Sequence, residues 1–152
     1  MRPDVTAVDR ALTSFGSKYS VCDAQVGIIV ACDQSDALPI LQALRDSELD
    51  FAMLLDLFGR DVDGKIEITY HLRSYSRDQE LYVRCHLDHD GDLHSVWTVY
   101  LSALMPERET AELYGLTLSD HPNPKRLLTT DGVPPLLRKS VPIRTVEEVR
   151  SR

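Results

Sequence analysis

The densest run of side chains able to ligate a metal or shuttle a proton is His86-Leu87-Asp88-His89-Asp90-Gly91-Asp92-Leu93-His94. Acids at 88, 90 and 92 match the first, third and fifth positions of a calcium-binding loop, which then needs Gly at the sixth and Glu at the twelfth. Leu93 and Val99 stand there instead, so calcium is disfavoured. A zinc site would draw on His86, Asp88 and His94 and would make the chain a small stand-alone metal-dependent enzyme. Straddling a turn, however, those three residues have no fixed tetrahedral geometry, and such clusters are usually solvated hairpin tips. Cys22, Cys32 and Cys85 form no CxxC pair, which removes the usual spacing for an iron-sulfur cluster or structural zinc. The seven glycines make neither GxGxxG nor GxxxxGK[ST], and no G-x-S-x-G elbow accompanies the serines and histidines. Nucleotide binding and serine hydrolysis are therefore disfavoured.

A second concentration of charge suits binding better than bond chemistry. In Glu107-Arg108-Glu109-Thr110-Ala111-Glu112, Arg108 and Glu112 lie at i, i+4 and Glu109 and Glu112 at i, i+3, so a helix presents a mixed charged stripe. That stripe fits either ordinary local pairs on a solvated face or an ion-pair network across a protein interface. His121, bracketed by Asp120 and Pro122, reads as a hydrogen-bonded turn residue and a candidate interface contact. Beyond it, Lys125, Arg126, Arg138 and Lys139 stud a stretch that also holds five of the eight prolines.

These residues need a scaffold, and 152 residues with 43% apolar content are enough for one domain with a core. The chain is acidic, 24 Asp plus Glu against 17 Lys plus Arg, so no overall positive field favours nucleic acid. Scattered cysteines suggest reduced thiols and a cytoplasmic setting. The start, Met1-Arg2-Pro3-Asp4, does not look like a secretory signal, and the apolar run Val26–Cys32 is far short of the roughly 20 residues that span a bilayer.

Residues 4–18 read as a helix, Val26–Val30 as a buried strand, and Leu38, Leu41 and Leu44 as the apolar side of a helix capped by Ser35 or Asp36 with Pro39 in its first turn. Phe51–Phe58 reads as a second buried strand. Ile66, Ile68, Tyr70 and Leu72 alternate with polar residues, as do Leu81, Val83, Cys85 and Leu87, which gives two strands each with one apolar face. Asp63-Gly64 and Asp90-Gly91 are hairpin-turn dipeptides. Pro106 suits the first turn of a helix with Glu107 and Glu109 near its positive end, and Gly115 suits its C-cap. Trp97 and Tyr100 read as core anchors. The expected fold is a two-layer α+β domain, residues 1–118, with helices packed on one mixed, largely antiparallel sheet. Residues 119–152, with seven basic and four acidic side chains, bury too little to fold alone and are expected to form an extended docking tail.

Glu107-Arg108-Glu109-Thr110-Ala111-Glu112-Leu113-Tyr114, a gap of six residues, then His121-Pro122-Asn123-Pro124-Lys125-Arg126-Leu127-Leu128, resembles the signature of the 30-kDa subunit family of respiratory NADH:quinone oxidoreductase, complex I. Pro135-Leu136-Leu137-Arg138-Lys139 is similar to the P-L-R-K tail of that family. The resemblance implies a cofactor-free, non-catalytic scaffold of the peripheral arm, lying on the cytoplasmic face of the membrane and touching it only through the complex. It implies partners in the quinone-site 49-kDa-type large subunit and a neighbouring iron-sulfur subunit, with iron-sulfur clusters, FMN and quinone held by other chains. Glu107, Arg108, Glu109, Glu112, His121, Pro122, Lys125, Arg126, Arg138 and Lys139 are then expected at subunit interfaces. A homologous subunit of a membrane-bound energy-converting hydrogenase is the alternative within the same resemblance.

Overall fold

The computed structural model describes residues 1–144 and has the expected α+β architecture. Asp4 caps α1 (Val5–Leu12) by accepting the Thr6 N–H, and a 3₁₀ turn over Thr13–Lys18 leads into β1 (Tyr19–Ala24). The expected helix over 4–18 therefore ends early, at a turn containing Gly16, whose φ of +59° and ψ of −124° no helix accommodates. A hairpin leads to β2 (Gly27–Cys32), with Val26 exposed at its tip rather than buried. β1 itself has no fully buried position, only partly buried ones, and leaves no apolar run in the sequence.

Helix α2 (Gln34–Asp46) starts behind Asp33, not at Ser35 or Asp36. Pro39 consequently lies in the second turn, where it removes one helical hydrogen bond. Burial of Ala37, Ile40, Leu41 and Leu44 against the sheet holds the helix despite that loss. β3 (Met53–Val62), β4 (Lys65–Ser74) and β5 (Gln79–Leu87) complete a sheet ordered β1-β2-β5-β4-β3. Every neighbouring pair is antiparallel except β2 and β5. Asp63 and Gly64, with φ of +51° and +77°, make the tight β3–β4 turn.

The alternation read in β4 and β5 is present: Ile66, Ile68, Tyr70, Leu72, Leu81, Val83 and Cys85 are all fully buried on one face. They meet Val8 and Leu12 of α1 and the apolar side of α2 in one continuous core. β3 is an edge strand, not a buried one: Phe51 is buried just before it, whereas Met53, Leu55 and Phe58 are exposed. Asp90-Gly91 does not close a hairpin either. It leads into β6 (Asp92–His94), which pairs in parallel with β7 (Thr117–Ser119) in a separate two-stranded sheet. Between them run a 3₁₀ turn (Leu101–Ala103) and α3 (Leu104–Tyr114). Tyr100 is buried and its hydroxyl donates to the Phe51 carbonyl at 2.7 Å, which anchors the approach to α3.

The boundary drawn between 118 and 119 falls within β7. Residues 121–141 then run back over α3 as an irregular strap, and residues 145–152 of the expected tail lie outside the described residues.

Candidate subunit interface

Helix α3 carries most of the signature, and its position is fixed at both ends. Gly115 closes it in the left-handed conformation (φ +69°, ψ +38°), with its N–H on the Ala111 carbonyl. Tyr114 packs so close to β3 that a Cβ on Gly59 would lie 2.6 Å from its ring, and its hydroxyl donates to the Gly59 carbonyl at 2.7 Å. Ser102 covers a second carbonyl of the same edge strand, that of Leu54, at 3.1 Å. The edge of β3 is thus partly blocked by the elements that precede and form α3.

The charged residues of α3 point three ways. Glu107 is fully buried and faces the β6 side, where its carboxyl accepts the Ser95 hydroxyl and, at 2.6 Å, the Val96 N–H. Burial pushes the Glu107 carboxyl up, with the Ser95 and Val96 bonds and nearby His121 working in the opposite direction. Glu107, expected at a subunit interface, is a packed, hydrogen-bonded carboxyl inside the chain. His121 Nδ1 accepts the Asn123 N–H at 3.0 Å, so Nε2 carries the ring proton and donates to the Leu104 carbonyl at 2.9 Å. It pins the start of the strap to the start of the helix.

Arg108 and Glu112 do not pair with each other, although they are one turn apart. Arg108 donates from Nε to the Lys125 carbonyl (2.8 Å) and from Nη2 to the Arg126 carbonyl (2.9 Å), a two-pronged grip on the strap's main chain. Glu112 receives three consecutive strap N–H groups, those of Leu127 (2.6 Å), Leu128 (3.1 Å) and Thr129 (2.5 Å), together with the Thr129 hydroxyl. Burial works to raise the Glu112 carboxyl, but these four donors outweigh it and hold the group down at about 2. Arg126 closes the strap's own turn through the Thr129 hydroxyl (2.7 Å) and the Val133 carbonyl (3.2 Å).

Arg138 takes up the other end of the helix. Its guanidinium donates to the carbonyls of Tyr114 (2.6 Å), Gly115 (3.0 Å) and His89, so a cation satisfies groups at the helix C-terminus. The Leu137 N–H reaches the Leu113 carbonyl at 3.0 Å, and the Lys139 N–H reaches Asp61 at 2.9 Å. Glu109, Pro122, Lys125 and Lys139 have exposed side chains.

The histidine-rich run is dispersed rather than convergent. His86 faces Glu67 (3.3 Å), His89 faces Asp61 (3.0 Å), and His94 faces Asp120 (3.2 Å). Among the described residues no three His, Cys, Asp or Glu side chains are grouped as a metal would need. Cys85 is buried with its thiol on Gln34, and burial pushes Cys32 up to about 12. The arrangement builds a rigid shape out of main-chain clasps. Among the described residues it does not converge reactive groups on a cleft.

The sequence profile of the family described as respiratory-chain NADH dehydrogenase, 30 Kd subunit, matches residues 30–147. The chain belongs to this family. Among relatives of the 30-kDa subunit, the NADH-quinone oxidoreductase C subunit of Methylobacterium sp. (strain 4-46) is 34% identical over 130 residues, covering 81% of this chain and 60% of that protein. The corresponding protein of Maricaulis maris (strain MCS10) is 31% identical over 151 residues, covering 95% of this chain and 72% of that one. The NADH-quinone oxidoreductase C/D subunit of Shewanella woodyi is 33% identical over 129 residues, covering 76% of this chain and 21% of that protein. The chain thus spans about three fifths of the length of several curated relatives. In fold it is similar to a chain in the structure of the membrane-bound sulfane sulfur reductase, an archaeal respiratory membrane complex, with a TM-score of 0.64 and 18% identity over 75% of this chain and 69% of that one. No helix among the described residues is long and apolar enough to cross a membrane.

The signature residues fall on α3 and the strap, and residues outside the signature complete the contacts between them. Ser95, Asp61, Thr129 and Gly59 each supply a contact described above, and none stands at helical spacing from α3. Only the adjacency of Asp61, the carbonyl of His89 and Lys139 in space shows why a strand end, a loop and a strap belong together.

Proposed function

We propose that this chain is a non-catalytic scaffold of the peripheral arm of a respiratory NADH:quinone oxidoreductase, docked at the cytoplasmic face of the membrane through the complex. One observation carries the reading. The signature cations and anions Arg108, Glu112 and Arg138 end on main-chain carbonyl and N–H groups of the strap and the helix end, so their chemistry fixes surface shape. An active site would instead aim such groups at an open cleft. The strap so fixed presents Leu128, Leu136 and Leu137 to solvent, an apolar surface suited to burial by a neighbour.

The proposed partners are the quinone-site 49-kDa-type large subunit and a neighbouring iron-sulfur subunit. A relative whose single chain carries the double name C/D supports a close partner within the oxidoreductase, because two subunits joined on one polypeptide are held close together. Iron-sulfur clusters, FMN and quinone would be held by other chains. The raised thiols of Cys32 and Cys85 are the reverse of what thiolate ligands require. The test is affinity purification of the tagged chain from native membranes, with and without residues 119–152. Recovery of the other oxidoreductase subunits with the intact chain, and their loss with the truncated one, is the expected result. Unchanged assembly after truncation refutes docking through the strap.

A further inference from the structure

Glu107, Arg108 and Glu112 all end on partners within the chain, but Glu109 does not. It is exposed, and no hydrogen bond or ion pair to it occurs among the described residues. With Pro106 and Leu113 it occupies the face of α3 beside β3. That face, together with Asp56 and Phe58 of β3 and Leu137 of the strap, lines an open groove of about 240 Å³. Phe58 is 44% and Leu137 51% exposed, so the groove's apolar walls are largely wet. Asp56 accepts only the Leu57 N–H, at 2.8 Å, and no cation among the described residues pairs with it. Both walls therefore carry an uncompensated carboxylate.

We propose that this groove receives a segment of a partner subunit bearing an arginine or lysine beside an apolar side chain. The cation would bridge Glu109 and Asp56, and the apolar side chain would cover Phe58, Leu113 and Leu137. Charge complementarity selects this occupant. A neutral or acidic segment would strip water from two carboxylates and leave them unpaired, whereas a cation offsets that cost at the moment the apolar walls are covered. The strap's own Arg126 and Arg138 are already engaged elsewhere. The β3 carbonyls of Leu54 and Gly59 are taken by Ser102 and Tyr114, so the partner is held by side chains and does not simply add a strand. The proposal rests on the reading of the chain as a subunit of the oxidoreductase and names the chemistry of one of its contacts.

Placing p-benzoylphenylalanine at position 58 of the full chain and irradiating the assembled complex in membranes is the test. The expected product is a crosslink to another subunit of the oxidoreductase within a peptide holding Arg or Lys next to an apolar residue. In parallel, the double variant Asp56→Asn with Glu109→Gln is titrated onto membranes lacking the native chain. It should bind about tenfold or more weakly than the native chain, while the remote surface variant Glu48→Gln binds as the native chain does. A crosslink to a second copy, to this chain's own residues, or to a peptide without a basic residue overturns the proposal. So does undiminished binding of a double variant that melts like the native chain. If the native chain co-purifies with the complex but the groove test fails, only the groove is wrong. If it co-purifies with no oxidoreductase subunit, the underlying functional reading fails and the proposal falls with it.

Discussion

Replacing Glu112 with Gln should loosen the strap over residues 127–129 while leaving the core folded and the Arg108, His121 and Arg138 anchors in place. The native carboxylate offers only acceptors to three N–H groups and one hydroxyl. A glutamine must turn an NH₂ toward at least one of those donors, so it cannot accept all four bonds. A carboxyl held at about 2 against an ordinary value of 4.5 corresponds to about 3 kcal/mol of preference for the clasped state. Solvent at the strap's edge screens part of this, which leaves about 1–3 kcal/mol. Because the folded pKa is depressed, this contribution is fully present above about pH 4.5 and fades as pH falls toward 2. The assay is amide hydrogen exchange at Leu127, Leu128 and Thr129 near neutral pH, where the variant should exchange roughly ten- to a hundredfold faster. The core amides of β4 and β5 should be unaffected. Equal exchange at the three strap amides in variant and native chain would refute the clasp as the force that seats residues 127–129.

Four further outcomes follow from the same geometry. Glu107→Ala should lower stability by about 2–4 kcal/mol in denaturant titration, because it leaves the Ser95 hydroxyl and Val96 N–H buried without an acceptor and opens a void. Glu107→Gln should be much milder and should remove a fall in stability with rising pH, since a carboxyl raised by burial favours the fold most when protonated. Gly59→Ala should cost about 1–3 kcal/mol by driving a methyl into the Tyr114 ring, seen as a lower melting temperature with α3 displaced from β3. In thiol alkylation at pH 8, Cys22 should label fast, whereas Cys32, raised to about 12, and buried Cys85 should label only on unfolding.

How much of this is legible in the residues depends on the range of the physics involved. The faces of β4 and β5, the Asp63-Gly64 turn and the Gly115 cap rest on contacts within a few residues, and all three are present. Strand β1 leaves little trace because an edge strand with one thin wall needs few apolar residues. The start of α2 is hard to place because Pro39 looks like a first-turn residue, and only the packing of Ala37 and Ile40 shows that the helix tolerates it further in. Likewise β3 looks buried along the chain because Phe51, Leu54 and Leu57 are apolar, while its place at the sheet edge depends on which strands pair.

The charged signature shows the same division. By itself the sequence determined that a helix with Glu107, Arg108, Glu109 and Glu112 is followed by a proline-rich basic segment, and it carried the family's pattern of spacing. Both are properties of neighbours along the chain, set by helical period and by proline's restricted backbone. Only the tertiary structure decided what each charge does: Glu107 buried on Ser95 and Val96, Arg108 and Glu112 gripping strap main chain, Arg138 on the helix end, and Glu109 left facing a groove. Periodicity fixes the direction in which a side chain leaves its helix, but not what stands there to receive it. Those receivers come from residues 11 to 49 positions away, brought near by burial of a shared core.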